Sequence, residues 1–348
     1  MGMSGGVDSS VAAYLIKSRG YETIGVTLRL YDGDFPPEGA KTCCSLDDVE
    51  DAQSVAARMG IKHYTFNFKD DFEKEVIGRF IDAYEHCRTP NPCIECNKHI
   101  KFKKMIDRAL QLDYDYVVTG HYARIAEENG RWLLKKGLDT SKDQSYVLYG
   151  MTQKQLQHTL LPIGEMTKKD VRALAEEQGF INAKKRDSQD ICFVPDGDYA
   201  GFIERHCGRT YESGSFVDKE GNILGTHKGL IHYTVGQRKG LGLALPRPMY
   251  VCSLCPENNT VILGYNDDLF SKTLDANDIN LIVCDKLDAP IRVSAKVRYS
   301  QQAQPATVWQ TGDDEIHVEF DEPQRAITSG QAVVMYDGDT VVGGGTIK

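Results

Sequence analysis

The stretch Gly2-Met3-Ser4-Gly5-Gly6-Val7-Asp8-Ser9-Ser10 constrains the fold more than any other part of the chain. Two adjacent glycines let the backbone turn with its N–H groups inward, and Asp8-Ser9-Ser10 is placed to cap a helix whose apolar face is Val11, Ala12, Leu15 and Ile16. A helix N-terminus offers unpaired N–H donors and partial positive charge, so the stretch reads as a cradle for phosphate or pyrophosphate. It is not a Walker loop, because no Gly-Lys-Ser/Thr follows. A plain Gly-rich turn before an amphipathic helix is the competing reading of the glycine pair taken alone. The helix ends near Gly20, and residues 22–28 follow as a strand rich in β-branched residues. Loop, helix and strand in this order continue a doubly wound parallel sheet, the α/β class. A loop of this kind normally follows a buried parallel strand, yet only Met1 precedes Gly2. Either a first strand is missing from this sequence or the sheet lacks a central member.

Further along, a helix beginning at Ser45 or Leu46 carries Val49, Ala52, Ala56 and Met59 inward, and residues 61–68 form the next strand. A helix with Phe72, Val76, Phe80 and Ile81 leads into Arg88-Thr89-Pro90-Asn91-Pro92-Cys93-Ile94-Glu95-Cys96. Its two prolines force an extended turn that should expose Cys93 and Cys96 at the mouth of a new helix. That helix buries Phe102, Met105, Ile106 and Leu110 and offers Lys98, Lys101, Lys103 and Lys104 to solvent, a setting that lowers a thiol pKa. Residues 114–120 read as a strand delivering Thr119-Gly120-His121-Tyr122 to the edge where open α/β sheets bind ligands. A hairpin over 124–137 and a capping box at Thr167-Lys168-Lys169-Asp170 follow. From about Gly201 short alternating runs separated by Gly, Asn or Asp replace helices, the spacing of small β-barrels. The expected domains are residues 1–199, an ATP-binding loop domain with the catalytic cysteines, 200–275, a central β domain, and 276–348, a C-terminal β-barrel.

A net charge of −9 argues against a protein that coats nucleic acid nonspecifically, while leaving room for a local basic face. No run of about twenty apolar residues and no basic-then-apolar leader occurs, so the expectation is a cytoplasmic protein without a membrane partner. Ten cysteines in such a chain are not a disulfide framework. Cys93, Cys96 and Cys192 share polar, cation-rich surroundings, and three readings stand: a redox pair with a partner, ligands of an iron–sulphur or zinc site, or a sulphur-carrying pair with a spare. Cys43-Cys44 are adjacent and Cys252/Cys255 fit a strand, so neither makes a good second pair of zinc ligands. Basic clusters at 98–104, 184–186 and 225–240 are the footprint of a polyanion, the last interleaving His, Tyr, Gln, Arg and Lys with glycines.

Ser4-Gly5-Gly6-Val7-Asp8-Ser9-Ser10 is similar to the loop of ATP pyrophosphatases, which cleave ATP between the α and β phosphates. With it come Cys43-Cys44-Ser45, Thr89-Pro90-Asn91-Pro92-Cys93-x-x-Cys96-Asn97-Lys98, Thr119-Gly120-His121-Tyr122-Ala123, Lys142-Asp143-Gln144-Ser145-Tyr146, Asp187-Ser188-x-x-Ile191-Cys192-Phe193 and Tyr233-Thr234-Val235-Gly236-Gln237-Arg238-Lys239-Gly240. Seven motifs in this order resemble the tRNA-specific 2-thiouridylases (MnmA/TrmU type). The resemblance implies ATP, with Mg2+, bound at Gly2, Met3, Ser4, Gly5, Gly6, Val7, Asp8, Ser9, Leu28 and Gly120. It implies a flipped uridine near Asn91, Pro92 and Cys93, and tRNA contacts from His121, Lys142, Asp143, Gln144, Arg298, Tyr299 and Gln331. It further implies a persulphide on Cys192, charged by a cysteine desulfurase or sulphur-relay protein, with Cys96 as nucleophile or as the second half of a disulfide. Some members carry aspartate where this chain has Cys93, which keeps an iron–sulphur cluster on Cys93, Cys96 and Cys192 open, though it is not the expected cofactor. The alternatives are a ligase or amidotransferase adenylating another acceptor, and an RNA-binding protein with a vestigial nucleotide site. The expected partner is tRNA and the expected state a monomer.

Overall fold

The computed structural model describes residues 1–31, 46–185 and 191–348. The Cys43-Cys44-Ser45 motif and Asp187-Ser188 lie outside the described residues. Contacts divide the chain into two compact units: Met1–Ile77 with Pro92–Gly197 and Asp339–Val342, and Gly78–Asn91 with Asp198–Gly338 and Gly343–Lys348.

The first unit is built on a parallel sheet. Strands β1 (Gly25–Arg29) and β2 (His63–Asn67) pair in parallel; β3 (Val117–Val118), after the hairpin β4 (Ala123–Glu128) and β5 (Arg131–Lys136), finds a parallel partner in β6 (Thr159–Leu160). Residues 1–3 stand between the two pairs. Met3 N–H donates to Val26 O and Val26 N–H to Met1 O, while Gly2 N–H donates to Val118 O, all at 2.8 Å. The central place expected of a first strand is therefore taken by three residues, which hand the chain straight into the phosphate loop. Only two residues of the expected 114–120 strand are extended in pairing, because Tyr114 and Tyr116 remain outside the ladder.

Helix α1 (Val7–Ser18) buries Val7, Val11, Ala12, Ala13 and Ile16 in a core shared with Ala52, Val55 and Ala56 of α2 (Leu46–Met59) and with Val171 and Ala175 of the helix Lys168–Glu177. That last helix has the expected capping box: Thr167 accepts from Asp170 N–H, and Asp170 accepts from Thr167 N–H. The hairpin turns at Asn129-Gly130, both at positive φ, the geometry that a two-residue connection requires.

Three expectations are corrected. Asp8-Ser9-Ser10 does not cap α1; Gly6 is the N-cap with no side-chain bond, and Asp8 lies in the first turn. The helix expected around Phe72 and Phe80 is composite, with Lys69–Phe72 α-helical, Glu73–Ile77 π-helical and Gly78–Glu85 α-helical again. The alternating pattern does not begin at Gly201: Tyr199–Cys207 is a helix, capped by Asp198 at Gly201 N–H and closed by Gly208 at φ 64°. Phe202 and Ile203 are buried at helical spacing there, and Phe202 meets Phe80 edge-on at 6.3 Å.

The second unit holds two β systems. Strands β7 (Gly214–Val217), β8 (Ile223–His227), β9 (Tyr250–Cys255) and β10 (Thr260–Gly264) form a sheet in the order β8-β7-β10-β9 around Phe216, Tyr233, Val251, Val261 and Leu263. Strands β11 (Phe270–Leu281), β12 (Ile291–Lys296), β13 (Gln304–Gly312), β14 (Glu315–Arg325), β15 (Ala332–Asp337) and β16 (Thr340–Ile347) pair in the order β11-β14-β13-β12-β15-β16, and β16 returns to β11. This is a closed six-stranded barrel, which leaves no free edge.

Candidate active site

The phosphate loop is fixed from inside by hydroxyls. Ser9 Oγ donates to Gly6 O at 2.9 Å and accepts from Ser4 N–H at 3.2 Å, while Ser10 Oγ donates to Gly6 O at 3.1 Å. Gly5 has φ +70°, and a Cβ on it would overlap the Asp48 carbonyl, so only glycine fits. Gly120 presses from the other side: a Cβ there would stand 2.6 Å from Asp8 C and 2.7 Å from Ser9 N. With no side chain capping α1, its first amides stay turned toward the concave side of the loop.

Asp8 is the anionic centre. Lys168 Nζ donates to both its carboxylate oxygens at 2.8 Å, and Tyr122 Oη donates to Oδ1 at 2.7 Å. The Lys168 side chain is only 12 % exposed and lies 5.8 Å over the Tyr122 ring. In the sequence Tyr122 stands at a strand end within the Thr119–Ala123 motif, and Lys168 stands in a capping box. Nothing in the local sequence signals a partner 160 residues away. Leu28, expected at the nucleotide, sits half-buried on β1 opposite Phe66.

The cysteine-bearing stretch departs from a plain helix. Pro92–Glu95 is a short α-turn, Cys96–Lys104 is π-helical, and Met105–Gln111 resumes α. Wide turns of this kind concentrate at functional sites. Cys93 is exposed as expected, but Cys96 is buried, because Ile100 and Phe102 of the same stretch turn inward beside it. Asn97 Nδ2 donates to Val147 O at 3.1 Å, and its buried Oδ1 finds no donor. His99 pairs with Glu95 at 3.2 Å. Cys192 is half-buried, its carbonyl accepting from Tyr31 Oη at 2.9 Å, and Phe193 packs on Phe72 at 5.8 Å. Among the described residues no three His, Cys, Asp or Glu side chains gather as a metal-ion site.

Several residues expected at RNA also brace the chain's own backbone. Gln144 and Tyr122 exchange two hydrogen bonds at 2.9 Å, and Asp143 accepts from Gly137 N–H, Ser145 N–H and Ser145 Oγ. Lys142 is half-buried. His121 is buried against Phe102 and bonded to Thr119 Oγ1 at 2.8 Å; burial, helped by Lys101, pushes its pKa down to about 3, so the ring is neutral. In the second unit Arg298 Nη2 donates to Ala326 O at 2.7 Å, Thr328 Oγ1 at 3.1 Å and Val235 O at 3.5 Å. Gln331 donates to Thr89 O at 2.8 Å, bracing the turn that carries Asn91. Tyr299 is 44 % exposed.

Residues 1–196 match the family described as tRNA methyl transferase HUP domain, 200–265 the tRNA methyl transferase PRC-barrel domain, and 271–347 the aminomethyltransferase beta-barrel domain. Together with the phosphate loop this defines a HUP-domain nucleotide-binding protein that carries two β modules. Full-length relatives narrow it further. The chain is 55% identical over 350 residues to the tRNA-specific 2-thiouridylase MnmA of Clostridioides difficile, covering 100% of this chain and 97% of that protein. It is 54% identical to the protein of that name from Acetivibrio thermocellus (100% and 98%) and 51% identical to that of Clostridium acetobutylicum (100% and 98%). The chain belongs to the tRNA-specific 2-thiouridylase family.

Proposed function

We propose that the chain is a tRNA-uridine 2-sulfurtransferase that consumes ATP, acting on the wobble uridine of lysine, glutamate and glutamine tRNAs. The observation that carries the ATP step is the loop: α1 begins without a side-chain cap, Gly5 takes a positive φ against the Asp48 carbonyl, and Gly120 packs against Asp8 and Ser9, the backbone of a phosphate-binding helix start. The C2 oxygen of the base attacks the α phosphate, pyrophosphate departs, and AMP becomes the leaving group. The terminal sulphur of a Cys192 persulphide then attacks C2 and displaces AMP. Attack of Cys96 on Cys192 Sγ frees the sulphur to the base and leaves a Cys96–Cys192 disulfide, to be reduced by an external thiol. Burial of Cys96 suits a thiol that acts second, shielded from adventitious oxidants.

Mg2+, a hard cation, fits the oxygen chemistry of Asp8, and when bound it supplies positive charge to the phosphates. Lys168 holds Asp8 in the loop and brings a cation to the same place. A cysteine desulfurase or relay protein supplies the persulphide, and tRNA is the macromolecular partner of a monomeric, cytoplasmic enzyme. Among the described residues no helix is long and apolar enough to cross a membrane.

The test is Cys192→Ser. ATP and tRNA binding are expected to persist while 2-thiouridine disappears from the product; normal thiolation by that variant overturns the persulphide role. AMP and pyrophosphate should appear in step with thiolated tRNA, and thiolation without AMP overturns the adenylation step. Iron and zinc content of anaerobically purified protein separates the thiol mechanism from a cluster on Cys93, Cys96 and Cys192.

A further inference from the structure

Residues 139–144 include Lys142, Asp143 and Gln144, which the sequence places at RNA, yet side chains of this segment converge on the two groups that hold Asp8. Gln144 acts on Tyr122. Its Oε1 accepts the Tyr122 N–H at 2.9 Å, and its own N–H donates to Tyr122 O at 2.9 Å. Gly137 packs close to the same carbonyl, where a Cβ would stand 2.8 Å from Tyr122 O. Both backbone polar groups of Tyr122 are thus tied to one residue, and its buried ring delivers Oη to Asp8 Oδ1 at 2.7 Å.

Asp139 acts on Lys168. Its Oδ2 accepts the Lys168 N–H at 3.0 Å, at the first residue of the helix Lys168–Glu177, while Oδ1 accepts from Ser141 N–H at 3.0 Å and Ser141 Oγ at 2.6 Å. These donors, the Lys168 N–H foremost, hold the Asp139 carboxyl below the usual carboxylate range, so a charged acceptor meets the helix start. From there Lys168 Nζ reaches both oxygens of Asp8 at 2.8 Å. Gln144 and Asp139 therefore stand one residue behind Asp8: each grips the main chain of a residue whose side chain does the holding. A site group keeps its geometry only when the residues around it are themselves locked by a further layer of hydrogen bonds.

We infer that Gln144 and Asp139 are positioning residues for the nucleotide half of the site: Gln144 sets Tyr122, Asp139 sets Lys168, and through those two they fix the carboxylate of Asp8 beside the polyphosphate. The 139–144 segment then serves ATP even when no RNA is bound. This rests on the adenylation reading, since it presumes that ATP occupies the loop.

The test is Mg·ATP affinity, measured by equilibrium dialysis on the full chain with no RNA present, so that any contact with RNA drops out of the measurement. Gln144→Ala should bind ATP about fivefold more weakly than wild type, and Tyr122→Phe about tenfold. The double variant decides. With the Tyr122 hydroxyl gone, Gln144→Ala should add less than about twofold, because it has no group left to aim at Asp8. Likewise Asp139→Ala should cost about fivefold alone and less than about twofold in a Lys168→Met protein. An unchanged ATP affinity in either single variant overturns the inference, and so does a penalty that persists in full in the double variants, the mark of general loosening. Should Gln144→Ala fail to fold, the Asp139 and Lys168 comparison decides alone. ATP bound normally by wild type and by the variants removes this inference and leaves the adenylation reading in place; failure of wild-type protein to bind Mg·ATP at all removes both.

Discussion

Side chains brace backbone carbonyls in both the phosphate loop and the turn 326–331, yet the groups they leave over differ. In the loop, Ser9 Oγ, Ser10 Oγ and Asn182 Nδ2 donate to the Gly6 and Gly5 carbonyls and Ser9 Oγ takes the Ser4 N–H, while no side chain caps the first amides of α1. In the turn, Arg298 and Gln331 give their donors to the carbonyls of residues 235, 326, 89 and 90, so the side chains build the surface that other groups present. A side chain in a functional motif can therefore be the frame of a contact, spending its donors on the backbone that presents it.

The largest effect should come from Gly120→Ala. Its methyl would overlap the Asp8–Ser9 backbone, and an overpacking cost of about 1–3 kcal/mol forces the loop to shift, so ATP affinity should drop by about five- to 150-fold and the melting temperature by a few degrees. Unchanged affinity would show the loop to be pliable, and the contrast would fail. Next, Arg298→Ala removes the donor shared by Val235 O, Ala326 O and Thr328 Oγ1, Ala326 O keeping the bond from Thr328 Oγ1, at a cost of about 1–2 kcal/mol, which should appear as a melting temperature lowered by a few degrees. If Arg298 is frame, the salt dependence of tRNA binding stays the same; a slope reduced by about one makes it a phosphate contact. Lys168→Met leaves Asp8 unneutralised beside the phosphates, and the expected result is a KM for ATP raised about tenfold with a smaller change in kcat. The smallest effect at neutral pH concerns His121. Its folded pKa lies below the unfolded value, so the unfolded chain binds more protons between the two. Stability should be full above about pH 6.5 and decline as pH falls toward 3, and His121→Asn should flatten that part of the melting curve against pH.

Much of this was legible in the chain because it is local. The glycine pair, α1, the Asn129-Gly130 hairpin and the Thr167–Asp170 capping box each follow from neighbours in sequence. Strands β7, β9, β10 and β15 lie in the region where short alternating runs replace helices. What was not legible depends on distant partners. Residues 1–3 act as a strand only because Val26 and Val118 flank them. Lys168 reads as the first residue of a helix until Asp8 is beside it, and Asn182 has no pattern around it at all. Burial of Cys96 and of His121 likewise depends on which way a π-turn directs its side chains, and hydrophobic spacing at 3.6 residues does not register a turn of different width.

The wide turn at Cys96–Lys104 gives the chain a spare residue at this point. In an α-helix, deleting one residue rotates everything beyond it by about 100° and tears the downstream face from its core. A π-turn is closed by an i→i+5 bond, so losing one residue returns it to α with its flanks still in phase. Removing Lys103, on the outer face, should thus leave Met105 and Ile106 seated while shifting Cys96 relative to them, a change of reach without a change of chemistry. Length here is a dial set apart from composition, and relatives that differ by a single residue in this segment would hold their thiol at a different depth.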